Sequence, residues 1–207
     1  MDSINKGRFI VFEGIDGAGK TTQIERLAAK LRAEGRKVAV TAEPTASVSG
    51  GLLRDALGGI QKRTACEMAA LFVLDRIFHN VNPNGIEAML ADGYDVICDR
   101  YYYSSMAYQG SQTDAEWVRD MNLRCPEIRH PDLCVFLDLS PEESLRRIAR
   151  DRTSTEIYEK KDILEAVRER FFGVFRELDD RVAVIDTTGL SIDEVAEKVA
   201  AAVEGLE

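Results

Sequence analysis

The chain has 207 residues, 45% of them hydrophobic and 30% charged, with a formal net charge of −9. That length suits one domain, or one domain with a lid, and the composition is ordinary for a globular protein. The acidic balance argues against a sequence-independent nucleic-acid binder, which needs a basic face, and against electrostatic anchoring on a membrane.

No apolar run approaches the length of a membrane span. Residues Met1–Lys6 carry no apolar leader core. A cytoplasmic protein without nucleic-acid or membrane partners is therefore expected. Cys66, Cys98, Cys125 and Cys134 show no C-x-x-C spacing and no zinc-like histidine spacing, so they are expected to be reduced, buried thiols. His79 and His130 are expected to be structural.

The first predicted element is a strand at 8–13, apolar and uninterrupted as a buried parallel strand is. It runs into Gly14-Ile15-Asp16-Gly17-Ala18-Gly19-Lys20-Thr21, followed by Thr22. This is G-x-x-x-x-G-K-[ST], the phosphate-binding loop, in its required setting between a strand and a helix. The glycines let successive N–H groups turn toward one point, and the helix N-terminus adds to that attraction for anions. Lys20 is placed to reach the β- and γ-phosphates of ATP, and the Thr21 hydroxyl to hold Mg²⁺.

A helix is predicted over 19–34, with Ile24, Leu27, Ala28 and Leu31 on one face and Gly35 ending it. Val38–Val40 is a short second strand leading into Glu43-Pro44-Thr45, where proline enforces an extended turn. Residues 46–51 hold two serines and two glycines and are expected to be a loop, with a short helix at 52–57 carrying Arg54. A longer helix is predicted over 64–80, and Pro83 either breaks it or starts the next helix at 85–91.

The third strand, Asp95–Cys98, ends in Asp99-Arg100-Tyr101. A carboxylate after a strand is where an ATPase places a Mg²⁺ partner, and Asp99 is that candidate. Arg100 beside it offers a planar fork suited to a second phosphate. Further on come a helix at 114–124, a strand at 133–137, a helix from Pro141 to about Arg150, a polar segment at 151–160 and a helix at 161–178. A fifth strand at 182–185 and a helix at 191–203, opened by a Ser191/Glu194 capping box, complete the chain.

Five apolar strands alternating with helices predict an α/β fold: a three-layer sandwich whose five-stranded parallel sheet carries helices on both faces, of the P-loop NTPase type. One kinase domain spanning the chain, with a lid at about 146–160, is expected. A ligand belongs at the carboxyl ends of the strands, where the clusters at Glu13–Thr21, Glu43–Thr45 and Asp99–Arg100 converge.

The combination resembles the thymidylate kinase family. The matching stretches are Phe12–Thr22, Glu43-Pro44-Thr45, Leu71–Arg76 and, most specifically, Asp99–Gly110 with its Asp-Arg-Tyr start and Tyr-Gln-Gly end. The resemblance implies ATP-dependent, Mg²⁺-dependent phosphorylation of dTMP to dTDP, toward dTTP, by a homodimer. It implies that Phe72 stacks on thymine and that Arg76, on the same helix face one turn later, binds near the base carbonyl and acceptor phosphate. Alone, Phe72 reads as an ordinary core aromatic.

It further implies that Asp16 lies beside the 3′-hydroxyl and the metal, that Arg100 holds the acceptor phosphate, that Ser104 or Ser105 faces the base, and that Tyr108 packs on the sugar. Metal-side candidates are then Thr21, Asp16 and Asp99. One branch of the family has an arginine within the P-loop, where this chain has Gly17, so the cation over the transferring group must come from the lid. Arg150 and Arg152 are nominated, ahead of Arg146 and Arg147. With Lys20, Asp16 and Arg100 they form the expected catalytic set.

Two departures from the family pattern stand out. Ala42 occupies a position that is usually arginine, so either Arg54 covers that charge or the acceptor phosphate is held less firmly. The lid also lacks a clean arginine-glycine signature. The nearest rival is a deoxynucleoside kinase, which would need Glu43 as a base for a 5′-hydroxyl.

Overall fold

A computed structural model describes residues 6–151 and 161–206. Five strands form one parallel sheet: β1 (Phe9–Glu13), β2 (Lys37–Ala42), β3 (Tyr94–Asp99), β4 (Leu133–Asp138) and β5 (Val182–Asp186), in the order β2-β3-β1-β4-β5. The predicted α/β architecture is therefore observed. Strand β1 is central and buried throughout, which explains its lack of polar alternation.

Side chains alternate between two apolar layers. Phe9 and Val11 join the layer containing Tyr101–Tyr103, Phe136 and Phe171. Ile10 and Phe12 join the opposite layer, with Ile24, Leu27 and Leu31 of α1 (Lys20–Ala33) and Val195, Val199 and Val203 of α9 (Ile192–Glu204). The intervening helices are α2 (Val48–Leu57), α3 (Ala65–Val81), α4 (Ile86–Ala91), α5 (Tyr102–Tyr108), α6 (Ala115–Leu123), α7 (Pro141–Asp151) and α8 (Lys161–Glu177).

Register is what builds the site. Phe12 and Ala42 both align with Asp99, and Glu13 aligns with Phe136. The polar clusters that follow β1, β2 and β3 therefore emerge at one level. At the opposite pole Asp95 is buried between Arg8 and Arg36, with Arg8 Nη2 at 2.7 Å and Arg36 Nη2 at 2.6 Å. Burial resists its ionisation, but hydrogen bonds from both arginines outweigh this and hold its carboxyl below the usual range.

Three local expectations need correction. Residues 46–51 are not all loop: α2 begins at Val48, with Ser47 as its N-cap accepting from Gly50 N–H. Helix α5, at 102–108, has no counterpart in the predicted elements. Tyr101-Tyr102-Tyr103 is buried across its whole run, so no helical period is visible there. Finally, all four cysteines are free but only Cys98 and Cys134 are buried, since Cys66 is exposed and Cys125 half-buried. Pro83 lies in the turn between α3 and α4.

Candidate active site

A cleft of about 930 Å³ opens at the carboxyl ends of β1, β2 and β3. Its floor is the glycine loop between β1 and α1. Gly17 (φ 76°) has a left-handed backbone, and a Cβ there would lie 2.9 Å from Ser144 O. Helix α7 thus packs directly on the loop, reinforced by a hydrogen bond from Ser144 Oγ to Asp16 O. No side chain fits at position 17, which is the physical counterpart of the missing P-loop arginine.

Lys20 lies back across the loop, its Nζ donating to Gly14 O at 3.1 Å and Ile15 O at 3.4 Å. Burial pushes its pKa down, and the Arg100 charge adds to this; Asp99, Asp16 and Glu13 act in the opposite sense. Asp16, Gly17, Ala18, Gly19, Thr21 and Thr22 line the cleft with Lys20. The Ile15 side chain instead enters the core.

The Asp99–Arg100 pair closes one wall. Arg100 holds φ 67°, a left-handed conformation unusual outside glycine. Its guanidinium donates to Asp16 Oδ1 and, at 3.1 Å, to Ser104 Oγ, and lies 5.5 Å over the Tyr108 ring. Burial works against its charge, but Asp16, Tyr108, Asp99 and Glu13 together hold it more firmly protonated than usual. Burial pushes the Tyr108 hydroxyl up to about 12, so it stays neutral.

Asp99 lines the cleft, and its Oδ1 is buried without accepting a hydrogen bond among the described residues. Mg²⁺ bound with a nucleotide takes one or two protein oxygens and completes its shell with phosphate and water. An unsatisfied carboxylate oxygen with the Thr21 hydroxyl in the same cleft fits that need. A protein-only cluster of three or more His, Cys, Asp or Glu ligands is absent among the described residues.

The far wall comes from α2 and α3. Phe72 and Arg76 both line the cleft from α3. Arg76 is almost fully buried. It donates to Glu43 Oε2 from Nη2 at 2.6 Å and from Nε at 2.9 Å, to Ser105 Oγ at 3.3 Å, and to Asn122 Oδ1. Its guanidinium also lies 5.1 Å over the Tyr101 ring. Glu43 Oε1 contacts His79 Nδ1 at 3.1 Å, and His79 Nε2 contacts Thr41 Oγ1 at 2.7 Å. Both oxygens of Glu43 are thus engaged, which leaves it poorly suited to act as a free base.

Ser104 lines the cleft, whereas Ser105 is buried beneath Arg76. Arg54 also lines it, tied to Thr45 O at 2.5 Å and Pro44 O at 3.2 Å. Asp75 orders that loop by accepting from Thr45 N at 2.7 Å, Ser47 Oγ at 2.8 Å and Ser49 Oγ at 2.7 Å. Burial opposes its ionisation, yet those hydrogen bonds keep its pKa below normal.

Among the arginines of α7, Arg147 lines the cleft and reaches Gly17 O at 3.4 Å, while Arg146 is 74% exposed and paired with Glu143. The Arg150 side chain, Arg152 and most of the expected lid at 146–160 lie outside the described residues.

Sequence reasoning places Glu13 in the cluster that converges on the ligand but gives it no individual role, and gives none to Asn122, His79, Asp75, Gln23 or Ser144. Glu13 had a signal: a carboxylate ending an apolar buried strand is rarely idle. Gln23 joins the cleft wall through a 3.0 Å bond to Ile192 O, and its sequence position beside the glycine loop was the only hint. Asn122 had none.

Comparison with known proteins identifies the family and the fold. The family model described as thymidylate kinase matches residues 12–199. A probable thymidylate kinase of Methanococcus aeolicus is 40% identical over 93% of each chain. A thymidylate kinase of Desulfotalea psychrophila is 41% identical over 80% of each. The solved thymidylate kinase of Candida albicans shares the fold, with a TM-score of 0.79 at 24% identity, covering 97% of this chain and 92% of that one.

Proposed function

The chain belongs to the thymidylate kinase family, and from that premise we propose how its cleft transfers the γ-phosphoryl group of ATP to dTMP, giving ADP and dTDP. The observation that carries the reading is the shared cleft: a phosphate-binding loop on one side, with Phe72, Arg76 and Arg100 on the other. A bare nucleotide-binding module has no need of that second wall.

ATP phosphates lie on the backbone N–H groups of residues 14–21, with Lys20 at the β/γ side. Thr21 and Asp99, with Asp16, would hold Mg²⁺, which when bound neutralises phosphate charge. On the acceptor side Phe72 stacks on thymine and Arg76 faces the base edge and the phosphate. Arg100 holds the acceptor phosphate, and Tyr108 packs on the sugar. A phosphomonoester has a second pKa of about 6, so dTMP arrives as a nucleophilic dianion needing cations rather than a base. Arg150 and Arg152 of the lid supply charge over the transferring group, and Arg147 joins them from the cleft wall. Lid closure excludes water that would otherwise hydrolyse ATP. The chain acts as a single kinase domain in the cytoplasm. No helix among the described residues is long and apolar enough to cross a membrane.

The test is ADP release with MgATP and a panel of acceptors: dTMP, dUMP, dCMP, UMP, AMP and thymidine. Strong stimulation by dTMP, well above dUMP, is expected. Stimulation by thymidine but not dTMP would move the assignment to a deoxynucleoside kinase.

The active form is a homodimer built on α3. Leu74, Phe78 and Val81 follow the i, i+4, i+7 spacing of one helix face. They are 55%, 47% and 49% exposed, an apolar stripe that pairing would cover. Phe78→Glu is expected to yield a monomer by sedimentation at micromolar concentration. An unchanged dimer would place the interface elsewhere.

A further inference from the structure

We infer that Glu13 is a positioning residue for the acceptor half of the reaction, holding the turn from which Arg100 reaches the cleft. Glu13 is fully buried and does not line the cleft, so its influence on substrate must pass through neighbours. Its Oε1 accepts from Tyr101 N at 2.9 Å and Ser104 N at 3.1 Å, and its Oε2 accepts from Ser104 Oγ at 2.6 Å.

Those contacts perform two tasks. The first is capping. Tyr101 is the N-cap of α5 and supplies no side-chain hydrogen bond to it. The first N–H groups of a helix need acceptors. Glu13, reaching across from β1, accepts from the cap residue and from Ser104 in the first turn. A carboxylate at a helix N-terminus is also favoured by the helix dipole.

The second task is orientation of Arg100. Its left-handed backbone persists only where surroundings over-determine it. Arg100 N–H bonds Phe12 O at 2.9 Å, and the next residue's N–H bonds Glu13. The turn is therefore stitched to the end of β1 at consecutive residues. Burial pushes the Glu13 pKa up, while the Arg100 charge and the hydrogen bonds from Ser104 and Tyr101 favour its ionised form. An ionised carboxylate only accepts. The Ser104 hydroxyl must then point its hydrogen at Glu13, which leaves its lone pair for Arg100 Nη1 at 3.1 Å. The polarity of the relay Arg100 to Ser104 to Glu13 is set by Glu13. Glu13 immediately precedes Gly14, so one carboxylate fixes the spacing between the phosphate-binding loop and the acceptor arginine.

This rests on reading Arg100 as the acceptor-phosphate ligand, and the experiment separates the two claims. Steady-state kinetics are measured for Glu13→Gln, Ser104→Ala and Arg100→Ala, each checked for folding by thermal melting. Arg100→Ala is expected to raise KM for dTMP strongly; an unchanged KM would overturn the acceptor reading itself. With that control positive, Glu13→Gln is expected to raise KM for dTMP about tenfold while KM for ATP stays within about twofold. Glutamine keeps the shape but offers an N–H where the relay requires an acceptor. A folded Glu13→Gln enzyme with unchanged KM for dTMP, or with both KM values raised alike, would overturn the positioning role. If Glu13→Gln fails to fold, Ser104→Ala decides. It cuts the relay and leaves the carboxylate on backbone N–H groups. Because Ser104 itself lines the cleft, the deciding readout is its coupling to Arg100. Ser104→Ala is expected to raise KM for dTMP several-fold in the otherwise intact enzyme and to add nothing in an Arg100→Ala background. A rise that persists without Arg100, or no rise at all, refutes the relay.

Discussion

Replacing Lys20 with alanine is expected to lower kcat by about two to three orders of magnitude, the usual effect of deleting one preorganised charge at a transferring group. Affinity for dTMP should change little. The reason is spatial separation within one cleft. Lys20 Nζ is held by the carbonyls of Gly14 and Ile15, inside the loop that binds the donor. The wall proposed for the acceptor is built from α3 and α5. Among P-loop residues no other basic side chain could substitute, and Gly17 cannot be replaced by one because α7 occupies that space. Single-turnover kinetics give the chemical step, and calorimetric titration with dTMP gives the acceptor affinity. A well-folded Lys20→Ala protein that no longer binds dTMP would contradict this division of the cleft.

The legible parts of this molecule are those whose chemistry is local in sequence. The glycine loop is contiguous, and each polar cluster follows an apolar strand. The parallel register then brings Phe12 and Ala42 level with Asp99 without further instruction. The capping box at Ser191 is likewise a four-residue pattern, and it is present. What escaped is what depends on distant partners. Helix α5 takes its cap from Glu13, so its own residues carry no start signal. Ser47 and Ser49 look like loop composition, yet one caps α2 and both donate to Asp75 on α3. The arginines of α7 are close in sequence, and spacing alone did not distinguish Arg147, which reaches the loop, from Arg146, which faces solvent. The acceptor wall was legible only through family resemblance, because Phe72 in a leucine-rich helix is indistinguishable from core by pattern.

The second large effect is expected at Arg76, where stability and recognition can be separated. Arg76→Met removes a guanidinium that bonds Glu43, Ser105 and Asn122 inside the protein. Glu43 is then left buried with His79 as its remaining side-chain hydrogen-bond partner among the described residues. Breaking a buried ion pair from one side costs about 3–5 kcal/mol, because the surviving charge is uncompensated. In a protein of this size that lowers Tm by on the order of 10 °C. The same substitution should also raise KM for dTMP if Arg76, which lines the cleft, faces the acceptor as proposed. Adding Glu43→Gln to Arg76→Met removes the stranded charge, so the double variant should recover much of the lost Tm. Its KM for dTMP should stay high, because no cation has been restored. Calorimetry and steady-state kinetics on the single and double variants read the two effects independently. If Tm and KM recover together, Arg76 acts only as the structural partner of Glu43. If Tm recovers and KM does not, the buried guanidinium is part of the acceptor site, and the burial of Glu43 is what holds it in place.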